Sequence, residues 1–159
     1  MSSRFPTILQ TLSTNTYNTN GTLKKTAYGN GDSVAYTYDG FGRVTGVTVD
    51  GETTPRYTYT YNAAGQAAHM KDAALGRSEF TEYDLAGRPC RKTVLQGTAH
   101  HYSSELSYHT ATGNLSKLQE YTTSGRYAYS TAFSYDAENR LTGLTYKHGT
   151  AASGSTGCA

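Results

Sequence analysis

The stretch Tyr38-Asp39-Gly40-Phe41-Gly42-Arg43-Val44-Thr45-Gly46-Val47-Thr48-Val49 decides the fold. It is entered through Tyr36-Thr37-Tyr38, with a ring at every second position. Period-two alternation of aromatic and β-branched residues is the mark of a strand. Asp39 follows the Tyr directly, and a short carboxylate closes a turn by accepting hydrogen bonds from the N–H groups just ahead. Gly42, three residues later, suits a backbone with positive φ. The chain then leaves in a second strand whose apolar residues, Val44 and Val47, stand three apart. A bulge near Gly46 restores the alternation. The stretch therefore reads as one β-hairpin.

The same pattern recurs at Tyr17, Tyr61, Tyr83, Tyr108 and Tyr135, with steps of 21 to 27 residues between successive Tyr. A recurrence in this range is the signature of a stacked repeat architecture. Asp84 and Asp136 take the place of Asp39, and Asn18 and Asn62 do the same with an amide. Gly21, Gly65, Gly87 and Asn139 fall at the position of Gly42. Asn139 there implies that the position needs left-handed backbone rather than a small side chain. The Tyr108 unit departs, with Gly113 one residue late. Arg140-Leu141-Thr142-Gly143-Leu144-Thr145-Tyr146 repeats the outgoing template of Arg43–Val49. No sustained run places apolar residues three and four apart, so no helix is expected. The expected fold is all-β: an antiparallel meander of about six hairpins and about twelve strands. Residues 1–14 form a lead-in, 15–146 the repeats, and 147–159, small and polar, a flexible tail or point of truncation.

Composition narrows the function. Hydrophobic residues make up 36% of the 159, but 15 Tyr supply ring surface that a disordered chain would lack. The net charge is +2 with Lys and Arg scattered, which gives no footprint for nucleic acid. No apolar run approaches the ~18 residues of a membrane helix. The N-terminus lacks the charged and apolar regions of a signal peptide, so export is expected only within a longer parent chain, which would place this region outside the cell or at its surface. Cys90 and Cys158 are too few and too far apart for a disulfide framework, so two free thiols are expected, with Cys90 packing as a small apolar residue.

The hexapeptide Tyr-Asp-x-x-Gly-Arg, followed by an apolar residue, resembles the YD-repeat, or Rhs-repeat, family. It is complete at Tyr38, Asp39, Gly42, Arg43 and at Tyr83, Asp84, Gly87, Arg88. At Tyr135, Asp136, Asn139, Arg140 it differs only in the Asn. Tyr61 and Gly65 keep the frame with Gln66 for Arg, and Thr22 replaces Arg in the first unit. The family includes bacterial Rhs toxins, insecticidal toxin-complex components, wall-associated proteins and teneurins. The resemblance implies a curved β-strip that forms a segment of a shell, with further repeats or neighbouring shell segments as partners and a toxin segment as cargo. The family's closing region does not follow Tyr146, so a piece of shell wall, or a short outlying member of the family, is expected.

The Asp/Arg pairs recur identically, whereas catalysis needs one asymmetric constellation; they are read as turn caps, with the Arg pairing between hairpins. His100, His101 and His109 lack the convergent third or fourth ligand of a metal site. Cys90 has no positioned base to make it a nucleophile. Neither cofactor nor enzymatic activity is expected. The alternative reading is a carbohydrate-binding surface module, with glycans stacked on exposed Tyr rows.

Overall fold

The structure, a computed structural model, describes residues 11–123, 127–149 and Cys158. The expected segments 1–14 and 147–159 lie partly outside these residues. The described residues form twelve strands: β1 (Ser13–Tyr17), β2 (Leu23–Tyr28), β3 (Ser33–Tyr38), β4 (Val44–Val49), β5 (Tyr57–Tyr61), β6 (Ala67–Asp72), β7 (Arg77–Tyr83), β8 (Pro89–Gln96), β9 (Ala99–Tyr108), β10 (Leu115–Tyr121), β11 (Tyr127–Tyr135) and β12 (Leu141–His148). Their hydrogen-bonded order is the sequence order, in a single sheet. Among the described residues there is no helix. The last strand continues two residues beyond Tyr146, through Lys147 and His148.

The chain divides into two compact units, 1–59 and 60–159, with the boundary inside β5. In the first, β1 to β4 form two antiparallel hairpins and β4 pairs onward with β5. In the second, each strand from β6 to β12 pairs antiparallel with the next.

The register explains the outgoing template. Four motif Tyr pair with the residue six positions on, Tyr17 with Leu23, Tyr38 with Val44, Tyr83 with Pro89 and Tyr135 with Leu141, and Tyr108, with its inserted residue, pairs seven on with Leu115. The register then slips, because Thr37 pairs with Gly46 and Ser134 with Gly143. Thr45 and Thr142 are thus the extra residues of β-bulges, each one position before the Gly. The bulge returns Val44 and Val47 to one face, as the broken alternation requires.

Packing is shallow. Among the described residues of the second unit, all the buried ones except Asp72 on β6 lie on β8 to β11: Cys90, Val94, Ser103, Ser104, Glu105, Tyr121, Ala128 and Ser130. Five of these eight carry a hydroxyl or carboxylate. Glu105 is held there by the Tyr121 hydroxyl, which donates to its Oε2 at 2.7 Å. Tyr102 mirrors this, donating to Glu120 Oε1 at 2.9 Å. Such satisfied pairs avoid the cost of a buried polar group without a partner. In the first unit Thr26 is buried and donates to Asn15 Oδ1 at 2.8 Å.

The cysteines overturn the expectation of free thiols. Cys90 and Cys158 form a disulfide, with Cα atoms 5.6 Å apart across 68 positions of sequence. Cys90 is the bulge residue of β8, next to the pairing of Tyr83 with Pro89. Distance along the chain was a poor guide because folding, not spacing, brings the two sulfurs together.

Candidate functional site: the repeat turn and its junction

Each turn is built on the residue after the Tyr. In the second unit of the repeat, the Asp39 N–H donates to the Arg43 carbonyl at 2.9 Å and Gly42 N–H returns to the Asp39 carbonyl at 3.1 Å. The carboxylate divides its labour. Asp39 Oδ1 accepts the N–H of Phe41 at 2.9 Å and of Arg43 at 3.0 Å. Its Oδ2 accepts Arg43 Nε at 2.7 Å. Asp84 repeats this with Ala86 N–H, Arg88 N–H and Arg88 Nε, and Asp136 with Glu138 N–H, Arg140 N–H and Arg140 Nε.

These bonds favour the ionised acids. For Asp84 the Arg88 guanidinium and then the Arg88 N–H hold the carboxyl below its usual range, against a smaller upward push from burial. For Asp136 the Arg140 N–H leads, followed by its guanidinium. For Asp39 burial is the largest influence and raises the value, but the N–H and guanidinium of Arg43 together outweigh it.

The turn needs left-handed backbone at one place. Gly42 has φ 78°, Gly65 84° and Gly87 78°, and Asn139 adopts 64° in the same position. The Asn is the residue best able to replace Gly where φ is positive. In the fifth unit Gly113 donates to the His109 carbonyl at 2.8 Å, one residue further round, which accommodates the insertion.

The third unit shows that charge is dispensable. Asn62 Oδ1 accepts the Gln66 N–H at 3.0 Å, while Asn62 Nδ2 donates to Gln66 Oε1 at 3.0 Å. An Asn–Gln pair therefore reproduces the Asp–Arg geometry with one hydrogen bond reversed. The first unit does the same with Asn18 Nδ2 donating to Thr22 Oγ1 at 2.9 Å.

Two contacts then join successive units. The motif Tyr donates its hydroxyl to the carbonyl of the residue just past the preceding turn: Tyr38 to Leu23 at 2.7 Å, Tyr83 to Ala67 at 2.8 Å, Tyr108 to Pro89 at 2.7 Å and Tyr135 to Leu115 at 2.9 Å. The second contact comes from the position of the motif Arg. Gln66 Nε2 donates to the Gly87 carbonyl at 2.7 Å, Arg88 Nη1 reaches the Gly113 carbonyl at 3.5 Å, and Asn114 Nδ2 donates to Asn139 Oδ1 at 3.3 Å. The Arg88 guanidinium also lies over the Tyr108 ring, 4.2 Å from its centroid.

The expected inter-hairpin role of Arg is thus visible at Arg88, but its Asp partner is in its own turn rather than a neighbouring one. The reason is reach: Oδ2 sits within 2.7–2.8 Å of the Nε four residues on. Arg140, in the last unit, pairs with Asp136 and with Glu138 at 3.3 Å and is 75% exposed. The Tyr hydroxyl bond escaped the sequence reading, which gave the rings a packing role. Its signal was present: the position is Tyr in all six units and never Phe.

Other groupings are consumed by structure. Cys90 is in the disulfide, and Glu105 is bound by Tyr121. A cavity of about 360 Å³ bordered by Asp84, Arg88, Glu105, Tyr108 and Gln119 contains the same capped groups. His100 contacts the Thr123 carbonyl at 3.3 Å and Ser103 Oγ at 3.1 Å, and His109 meets Tyr135 edge-on. Among the described residues, no group of three or more His, Cys, Asp and Glu is placed to hold a metal ion.

Comparison with known proteins places this geometry. Residues 17–55, which contain the Tyr17 and Tyr38 turns, match the family model for the RHS repeat. The comparison with curated proteins gives no match. Among solved structures, the Tc holotoxin pore of Photorhabdus luminescens, carrying a TccC3-D651A mutation, aligns with a TM-score of 0.61 at 15% identity, over 86% of this chain and 9% of that one. The crystal structure of TcdB2-TccC3 aligns at 0.61 with 13% identity over the same shares. The chain thus spans about a tenth of the length of these structures. The turns at 83–88 and 135–140 repeat, bond for bond, the turn at 38–43 inside the matched segment. Residues 17–55 are thus similar to the RHS repeat, and the chain shares the fold of a stretch of these toxin-complex structures.

Proposed function

We propose that this chain is a non-enzymatic structural module, a length of wall in an RHS-repeat shell that encloses a toxin segment or is displayed at the cell surface. The observation that supports it best is the repetition of one junction: a Tyr hydroxyl on the carbonyl just past the previous turn, at four places with distances of 2.7–2.9 Å. A device repeated at each step fixes the register of a continuing sheet, whereas an active site needs one unique constellation. The RHS-repeat match and the fold shared with the Tc structures agree with it. We place the module outside the cell, exported within a longer parent.

The test is protection of cargo. The natural reading frame containing residues 1–159 is expressed with the segment it encodes beyond the repeats, then treated with protease. The enclosed segment is expected to survive while the wall is intact and to be digested once the wall is unfolded. Digestion at the rate of the free segment overturns the enclosure reading, and saturable binding on a glycan array would favour the carbohydrate-binding alternative.

A further inference from the structure

Cys158 is held on the sheet by a bond more than by packing. Three strands set Glu82, Arg91 and Glu105 side by side in one row, because Glu82 pairs with Arg91 and Arg91 with Glu105. Arg91 stands between the two carboxylates, with Nη1 3.9 Å from Glu82 Oε1 and Nε 3.9 Å from Glu105 Oε1. Cys158 lies at the Glu82 end of this row. Its Sγ is 3.7 Å from Glu82 Oε2, and it is bonded to Cys90 on β8. Cys90, Cys158, Glu105 and Gln119 border the cavity of about 360 Å³. The row is charged, and a sulfur set against carboxylates removes little apolar surface from water. The two sulfurs also differ in access. Cys90 is 7% exposed, whereas Cys158 is half-buried.

We infer that the Cys90–Cys158 bridge is a redox latch, closed in oxidising surroundings and opened by thiols without unfolding of the sheet. Opening follows thiol–disulfide exchange. A thiolate of a dithiol reductant attacks Sγ of Cys158, the more accessible sulfur. A bond forms between reductant and Cys158 as the bond to Cys90 breaks, and Cys90 leaves as a thiolate that takes up a proton. The second thiol of the reductant then displaces Cys158 as a thiol. The protein has gained two electrons and two protons, and the reductant has become its cyclic disulfide. Glu82 sets the pace. Its carboxylate stands beside the attacked sulfur and repels an incoming thiolate, and Arg91 at 3.9 Å offsets this only in part. Once the bond is cut, Cys158 is left beside the Glu82 carboxylate and the cavity loses one wall. Water then reaches Glu105 and the buried Arg91 Nε, which makes no hydrogen bond in the closed form. Strands β7 to β10 keep their order, because their main-chain pairing does not involve the bridge. The latch gives the module a tight state outside the cell and a loosened one in a reducing compartment, where disulfides do not persist.

This inference rests on reading the module as lying outside the cell, yet its test uses no cargo, so a failed enclosure experiment leaves it standing. The oxidised full chain is incubated with dithiothreitol well below its melting temperature, and loss of the bridge is followed by mass spectrometry after an acid quench. The rate is expected to rise in proportion to the reagent, while circular dichroism keeps its β signal. Glu82→Gln is expected to quicken reduction about threefold at low salt, with the gain fading as salt is added, as a like-charge effect at this distance requires. In the reduced chain iodoacetamide should label Cys158 about tenfold faster than Cys90, which stays packed on β8. Replacing the reductant by an oxidised dithiol should restore the bridge without a refolding step. A reduction rate that levels off at the rate of global unfolding, loss of the β signal on reduction, equal labelling of the two thiols, a Glu82→Gln rate equal to the parent's at low salt, or failure of the bridge to re-form would each overturn it.

Discussion

At the scale of single residues, the motif is a set of hydrogen-bonding assignments. The Tyr at its head is chosen for its hydroxyl as much as for its ring. Tyr135→Phe keeps the ring and removes only the donor to the Leu115 carbonyl. It is expected to cost about 1 kcal/mol in a denaturant melt, the usual net value of one such bond. The Asp and Arg are a matched pair whose chemistry can be exchanged as a unit. Asp136→Asn alone sets an amide N–H against the Arg140 guanidinium and should lower the melting temperature. Adding Arg140→Gln rebuilds the pair seen at Asn62 and Gln66 and should recover most of the loss. The same pair predicts a pH dependence. Asp136 has a lowered folded pKa, so its stabilisation is complete above the unfolded carboxylate range, about 4, and is lost as pH falls through the folded value. Melts of the double variant between pH 5 and 2 should therefore show a shallower decline than those of the parent chain.

At the scale of the element, each hairpin is a turn with one left-handed residue followed by a bulge. Gly42 has open space around a built Cβ, so its substitution is judged by backbone alone. Gly42→Ala is expected to cost about 1 kcal/mol because an L-residue is disfavoured at positive φ, and Gly42→Asn distinctly less, as Asn139 shows. Comparison of the two by chemical denaturation checks this. The hairpins were legible in the sequence because both signals are local: a ring at alternate positions and a Gly or Asn at a fixed offset. The bulge was legible from Val44 and Val47, although its extra residue is Thr45 rather than Gly46. The junctions were not legible. The Tyr38 hydroxyl meets a carbonyl 15 residues back, and a backbone acceptor has no residue type to announce it. Glu105 with Tyr121 was hidden for a related reason, since a carboxylate in a polar strand reads as solvated until the register places a phenol beside it.

At the scale of the whole molecule, a sheet with few deeply buried side chains relies on repeated small contributions and on one covalent link. The Cys90–Cys158 bridge encloses 68 positions of sequence, and a loop of that length stabilises the folded state by roughly 4 kcal/mol on the chain-entropy model. Cys158→Ser, or reduction of the parent chain, should lower the melting temperature clearly; an unchanged melt would show that the bridge adds nothing to stability. The bridge was missed because two cysteines far apart in sequence give no framework to count. It also has a mechanical consequence. Tension applied beyond Cys158 passes through the sulfurs into β8, so strands β9 to β12 lie off the load path. Pulled between its ends in a single-molecule stretching experiment, the oxidised chain would extend short of its full contour by roughly 230 Å, a length released only when the bond between the sulfurs is cut.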